Sequence, residues 1–234
     1  MRAYFVTGTD TDAGKTLVAA GLLARAQAAG LTTLGLKPVA SGCETTPQGL
    51  RNADALALQA VSAPAMDYAA INPHAYAPAI APHLAAERAG DHLTLAGLVE
   101  CLAPQLALPR DLILVEGAGG WRVPLNDRED LAGLASRLAL PVILVVGLKL
   151  GAINYARLSA EAIRADGLTL AGWVANGIDA EMQEQAANLA CLRRHLPEPC
   201  LGVVPPLGDG SPQALASAAA AHLRLPGEAN NALT

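Results

Sequence analysis

Thr7-Gly8-Thr9-Asp10-Thr11-Asp12-Ala13-Gly14-Lys15-Thr16 decides the fold, because it joins an apolar, strand-like run (residues 3–7) to a segment of helical periodicity (15–29) through a glycine-containing turn. A strand, a tight loop ending in Gly-Lys-Thr and a helix together make a phosphate-binding loop. Successive backbone N–H groups and the helix N-terminus form an anion nest, Lys15 reaches the β and γ phosphates, and Thr16 offers its hydroxyl to Mg²⁺. The usual spacing places glycine at position 9, with four residues between it and the Gly14-Lys15 pair; here Thr9 stands there and Gly8 lies one residue too early. The alternative is an ordinary strand-turn-helix with a coincidental Gly-Lys-Thr, and the strand and helix on either side weigh against it.

The same rhythm continues outward. Short apolar runs at 33–37, 112–116, 142–147, 170–176 and 201–204 alternate with helical stretches near 52–61, 93–106, 129–138, 153–166, 180–195 and 212–224. Most runs are apolar throughout instead of alternating, the mark of strands covered on both faces. The expected class is α/β, a single doubly wound, mostly parallel sheet flanked by helices and similar to the P-loop NTPase fold. Pro64, Pro73, Pro78 and Pro82 break any long helix between residues 61 and 91, which reads as irregular loops with short helices. One domain over residues 1–225 accounts for the pattern, and the polar tail 226–234 is expected to fray.

Composition narrows the function. Of 234 residues, 52% are hydrophobic and 16% charged, so a disordered chain is excluded. Aromatics make up only 3% and the net charge is −5, which argues against a base-stacking platform or a broad nucleic-acid surface. Cys43, Cys101, Cys191 and Cys200 are far apart and lack metal-ligand spacing, which suits a reducing compartment. No apolar run approaches the roughly 20 residues that span a bilayer, and residues 1–6 are no signal peptide. A cytoplasmic protein without nucleic-acid or membrane partners is expected.

Further candidates sit where strands end, the edge at which open α/β sheets bind ligands. Leu112-Ile113-Leu114-Val115-Glu116 delivers a carboxylate there, followed by Gly117-Ala118-Gly119-Gly120. Beside a phosphate loop, Glu116 suits magnesium directly or through water; a surface acid at a strand end is the bland reading. Lys37, before Pro38-Val39-Ala40-Ser41-Gly42, should emerge beside Lys15, and two converging cations would favour phosphoryl transfer between anions. An ordinary salt-bridged lysine is as good a reading from sequence. Asp54 lies in the first turn of a helix opened by Arg51-Asn52, where an acid by itself is a partner for the helix dipole. Asn176 closes Gly172-Trp173-Val174-Ala175-Asn176 and could either pair with a base edge or make an Asx turn. His74, His83, His92, His195 and His222 show no motif spacing and are assigned no role.

Taken together, Tyr4-Phe5-Val6-Thr7-Gly8-Thr9-Asp10-Thr11, Gly14-Lys15-Thr16, Lys37 to Gly42, Arg51-Asn52-Ala53-Asp54-Ala55-Leu56, Val115 to Gly120 and Gly172 to Asn176 resemble the dethiobiotin synthetase family over residues 2 to about 207. That family has the longer loop seen here. The resemblance implies Mg²⁺- and ATP-dependent closure of 7,8-diaminononanoate with CO₂ into a cyclic urea, through a carbamate and its mixed anhydride with phosphate. It implies Thr16, Asp54 and Glu116 as magnesium ligands, overriding the helix-dipole reading of Asp54, and Lys37, Lys15 and Thr11 as catalytic groups. Asp12, Ala13, Gly14, Lys15, Thr16 and Leu17 would hold the phosphates, with Gly117, Ala118 and Gly119 beside the nucleotide. Asn176, Pro205, Pro206 and Leu207 would meet the adenine. Ser41, Thr11 and Lys37 would contact the diamine or its carbamate. The family is similar to a homodimer, and the helix N-terminus from Gly151 to Asn154 would take the substrate carboxylate of the neighbouring chain. Asp12 stands where the best-known members have the longer Glu, and Pro206 where an aromatic can occur.

Three rivals share the loop. A partitioning-type switch ATPase would carry a lysine at position 10, where this chain has Asp10. A small-molecule kinase would need the same phosphate site with a different acceptor. The longer cobyrinate-type amide synthetases carry a glutaminase domain for which no stretch of this sequence provides.

Overall fold

The computed structural model describes residues 2–228. In chain order these form β1 (Arg2–Gly8), α1 (Lys15–Ala28), β2 (Thr33–Leu36), β3 (Val39–Ala40), β4 (Glu44–Thr46), β5 (Gly49–Arg51), α2 (Ala53–Ala60), α3 (Tyr68–Ile71), β6 (His74–Ala75), α4 (Pro82–Arg88), α5 (Leu95–Leu106), β7 (Leu112–Glu116), α6 (Ala132–Arg137), β8 (Val142–Leu148), α7 (Ala152–Ala165), β9 (Leu170–Gly177), α8 (Gln185–His195), β10 (Cys200–Val204) and α9 (Pro212–Ala220). A six-stranded sheet runs β10-β9-β8-β1-β7-β2 with every pairing parallel. The chain builds the β7-β2 side and then the β8-β9-β10 side, so the order reverses at β1. The loop after β1 therefore opens at the switch point, where such sheets leave a crevice.

Strand alternation sorts the core into two layers. Phe5, Ile113, Val115, Val142, Leu144 and Val146 face one cluster; Val6, Leu112, Leu114, Ile143 and Val145 face the other. The second cluster is closed by Val18, Leu22 and Leu23 of α1 with Ala216 and Ala219 of α9. Gly21 lets those helices approach, since a β-carbon there would stand 2.8 Å from that of Ala219. Phe5 meets Trp121 edge to face at 6.1 Å, a strong anchor in a chain with so few rings.

The six expected main strands and seven longer helices are all present. Three helices are shorter than the periodicity predicts. The stretch 129–138 is helical only from Ala132, because Leu131 N donates to Val123 O and ties residues 123–131 into a turn. The stretch 180–195 is helical only from Gln185, after Glu184 in a left-handed conformation. The stretch 212–224 is helical only to Ala220, before the turn that brings Leu223 to its bridge with Gly202. Two small pairings are additional: the β4-β5 hairpin around Pro47-Gln48-Gly49, and parallel β3-β6. The latter brings part of the proline-rich segment against the strand leading to Ser41. Of the tail expected to fray, Arg2 Nη1 donates to Pro226 O and Glu228 pairs with Arg25 at 3.1 Å; residues 229–234 lie outside the described residues.

Tight packing between β9 and β10 yields a first prediction. A β-carbon on Gly172 would lie 2.7 Å from Leu201 Cγ and 2.8 Å from the Pro199 carbonyl oxygen. Gly172→Ala should therefore destabilise the fold by about 2 kcal/mol, the usual cost of overfilling a packed core. Urea unfolding checks this, and an unchanged midpoint would show that β9 and β10 can part more easily than their contacts imply.

Candidate functional site

At the carboxyl edge of the sheet lies a cleft of about 890 Å³, within the range of small-molecule sites. Its floor is the loop after β1. Gly14, the N-cap of α1, adopts φ +86°, and Asp12 adopts φ +62°. Aspartate tolerates this left-handed region better than most residues, so a short acid at position 12 suits the local backbone. Together the two positions turn the loop into a concave arc ahead of the helix, the shape of an anion nest. Lys15 is buried, and its Nζ donates to Asp10 O at 3.0 Å. Burial first, and the nearby charge of Lys37 second, push the Lys15 ammonium below the ordinary lysine range.

Beside it the ends of β2 and β7 bring Lys37 and Glu116 together. Glu116 is fully buried, and its Oε1 accepts from Lys37 Nζ at 2.6 Å and from Thr16 Oγ1 at 2.8 Å. Lys37 Nζ also donates to Gly117 O at 3.0 Å and lies 3.1 Å from Asp54 Oδ2. Burial opposes charge on Lys37, but Glu116 and Asp54 outweigh it and hold the ammonium above its usual range. Burial is equally the main influence on Glu116 and pushes its carboxyl up against the pull of Lys37. Asp54 is also partly desolvated, yet Lys37 draws its carboxyl down.

Asp54 reaches this cluster because Asn52 caps α2. Asn52 Oδ1 accepts from Asp54 N at 3.0 Å and Ala55 N at 3.3 Å, while its Nδ2 donates to Ser41 O at 3.3 Å. One side chain thus fixes both the acid and the loop bearing Ser41. The cleft is lined by Thr11, Asp12, Gly14, Lys15, Thr16, Lys37, Ser41, Asp54, Ala118 and Gly119 among the expected residues. Gly117 sits just behind, offering its carbonyl to Lys37. Ala13 is buried under the loop and Leu17 turns into α1.

Asn176, Pro205, Pro206, Leu207 and Asn154 do not line this cleft. Asn176 is buried on the other flank of the loop, where its Nδ2 donates to Ala13 O at 3.1 Å and its Oδ1 is buried without a partner. Pro206 packs beside Gly177, next to Asn176, and Pro205 is exposed. Asn154 is exposed in the first turn of α7 with Leu150, Tyr155 and Leu158.

Several lining residues escape sequence reasoning. Ala79, Ile80, Ala81 and Pro82 form one wall, and Arg122, Val123 and Pro124 another. The length of the proline-rich segment was a signal for the first, since long loops in compact domains are commonly functional. Arg122 is steadied by Asp166 at 2.7 Å, which also accepts from Trp121 Nε1 at 2.8 Å; nothing local in sequence announces that pairing. Asp10 is held by an ion pair with Lys149 beyond β8, tying the loop to the approach to α7.

Among the described residues no three His, Cys, Asp or Glu side chains group to hold a metal by themselves. The cluster instead offers one hydroxyl and two carboxylates, with Glu116 Oε2 buried and unpartnered. A hydroxyl and two carboxylates are hard oxygen donors of the kind Mg²⁺ takes.

A family profile described as an AAA domain matches residues 2–214. The chain is 68% identical to the ATP-dependent dethiobiotin synthetase BioD of Chromohalobacter salexigens, covering 98% of this chain and 100% of that protein. Similar matches are the proteins of that name from Pseudomonas aeruginosa, 60% identical over 96% of this chain and 97% of that one, and from Cellvibrio japonicus, 58% identical over 96% of each. Among solved structures, the MinC:MinD cell division protein complex of Aquifex aeolicus aligns with a TM-score of 0.57 at 14% identity, covering 94% of this chain and 86% of that one. MinD from the same organism gives 0.54 at 14% identity, with 94% and 95% covered. At that identity the likeness shows a shared fold and nothing about activity.

Proposed function

From the premise that this chain belongs to the ATP-dependent dethiobiotin synthetases, we propose how its cleft performs the ligation. The enzyme is an ATP-dependent cyclo-ligase of biotin biosynthesis. Residues 1–225 act as one carboligase domain in the cytoplasm. One amine of 7,8-diaminononanoate captures CO₂ as a carbamate and releases a proton. A carbamate oxygen attacks the γ-phosphorus of ATP, ADP departs, and the second amine attacks the carbonyl carbon of the mixed anhydride. The cyclic urea closes as phosphate leaves.

The observation that carries this reading is the convergence of Lys15 and Lys37 on one cleft with Thr16, Asp54 and Glu116. A carbamate and a triphosphate repel one another, so their meeting needs fixed positive charge in a site of low dielectric. Lys37 supplies it from a rigid position, because Glu116, Asp54 and Gly117 O leave its ammonium little freedom. Lys15 leaves Asp10 O to reach the phosphates held by the nest from Asp12 to Leu17. Thr11 and Ser41 orient the carbamate and diamine. Thr16, Asp54 and Glu116 would hold Mg²⁺, which neutralises phosphate charge when bound. No side-chain nucleophile is required, so positioning does most of the work.

On the far flank, the unpartnered Asn176 Oδ1 suits a donor such as the exocyclic amine of adenine, with Pro205, Pro206 and Leu207 beside it. Exposure of Leu150 (93%), Leu158 (56%) and Tyr155 (45%) around Asn154 supports a homodimer closing over this face. The α7 N-terminus from Gly151 to Asn154 would then receive the substrate carboxylate of the other chain.

Purified protein is expected to release phosphate from ATP only with diamine, bicarbonate and Mg²⁺ all present, and mass spectrometry should find the cyclic urea. Hydrolysis that proceeds unchanged without diamine would instead indicate a switch ATPase.

A further inference from the structure

Four side chains that the ligation does not use meet beyond β6, three of them reaching the surface and Tyr76 buried beneath. His74 and Tyr76 come from β6 and its end, Asp91 from the turn before α5, and Cys101 from within α5. Cys101 Sγ lies 3.9 Å from His74 Nε2, and His74 Nδ1 lies 3.4 Å from Asp91 Oδ2. Tyr76 Oη donates to the same Asp91 oxygen at 2.5 Å and stands 3.5 Å from His74 Nδ1. The Asp91 main attachment is completed by His92 N, which donates to Oδ1 at 2.7 Å.

The order is nucleophile, base and orienting acid. The Tyr76 hydroxyl holds the Asp91 carboxyl below its usual range, so the acid is anionic; burial, reinforced by Asp91, pushes the Tyr76 phenol well up, so it stays a neutral donor. An anionic oxygen facing Nδ1 favours the tautomer protonated there and turns the lone pair of Nε2 toward the thiol. Cys101 is also the exposed cysteine, whereas Cys43 is buried and Cys191 and Cys200 are partly covered.

We propose that Cys101, His74 and Asp91 form a surface thiol site that captures small disulfides as mixed disulfides. The thiol proton passes to His74 Nε2 as Cys101 Sγ attacks one sulfur of the incoming disulfide. A new sulfur–sulfur bond forms, the original one breaks, and the departing thiolate takes the proton from the imidazolium. Cys101 is oxidised, the small disulfide is reduced, and no further reactant enters. The site lies one strand pairing from the cleft, since β6 pairs with β3 just ahead of Ser41.

The test exposes the full native chain to glutathione disulfide and follows adducts by peptide mass spectrometry. Cys101 should react first, about tenfold faster than the same thiol in the urea-unfolded chain, as expected for a thiol activated by a neighbouring base. His74→Gln should remove that advantage, and Cys101→Ser should remove the fast adduct. A native Cys101 no faster than the unfolded thiol would overturn the proposal without recourse to any variant. So would a His74→Gln protein that reacts at the wild-type rate.

Discussion

Gly14→Ala is expected to abolish useful nucleotide binding, raising the Kd for ATP at least about 100-fold, or about 2.7 kcal/mol. Two effects add. A β-carbon at φ +86° costs roughly 1–2 kcal/mol for any L-residue with a side chain. It would also fall 2.0 Å from Asn176 Nδ2, which cannot retreat because that amide is buried and bonded to Ala13 O. The loop must change shape, and its amides then no longer converge on one anion. Gly30→Ala is the control. Gly30 has φ +79° but nothing within 4 Å of its β-carbon, so it should lose about 1 kcal/mol of stability and leave ATP affinity alone. Calorimetric titration of both variants decides the matter; a Gly14→Ala protein within threefold of wild-type affinity would contradict the role given to this contact.

Lys37→Met separates catalysis from binding. Because Lys37 lies outside the phosphate loop, ATP affinity should change by less than tenfold, while turnover falls by about 10²–10³, the usual loss when one fixed charge-stabilising donor is removed. Stability should fall as well, by about 3 kcal/mol, because Glu116 is left buried without its cation. The double variant Lys37→Met/Glu116→Gln should recover most of that stability and none of the turnover, since neutralising the abandoned carboxylate removes the buried charge but restores no cation to the carbamate. Chemical unfolding with parallel turnover assays reads both quantities. If Lys37→Met lost ATP affinity as severely as Lys15→Ala, Lys37 would belong to the nucleotide site instead.

Both predictions rest on residues that the sequence already marked, although for different reasons. Gly14, Lys15 and Thr16 were legible because a phosphate nest is built from consecutive residues, so its chemistry and spacing are written in one segment. The sheet was legible for a similar reason: strands buried on both faces, such as Val142–Leu148, must be apolar throughout. From its surroundings alone Lys37 was ambiguous and Asp54 read as a partner for the helix dipole; the family resemblance, not local pattern, decided the first and overrode the second. What the sequence hid was the environment. Nothing near Lys37 shows that its ammonium would be held by Glu116, 79 positions away, or that Asn52 would bind Ser41 and orient Asp54 together.

The histidines make the contrast sharpest. His74 has no partner at any motif spacing, yet β6, a two-residue strand that no periodicity announced, sets it between Asp91 and Cys101. By itself the sequence determined the parallel α/β sheet, the phosphate loop and the strand ends where charge would gather, because backbone pairing and apolar burial act on contiguous residues. Only the tertiary structure decided which charges neutralise one another, which polar atoms are left unpartnered and which distant side chains share a surface. Those are set by distances through space, which separation along the chain does not encode.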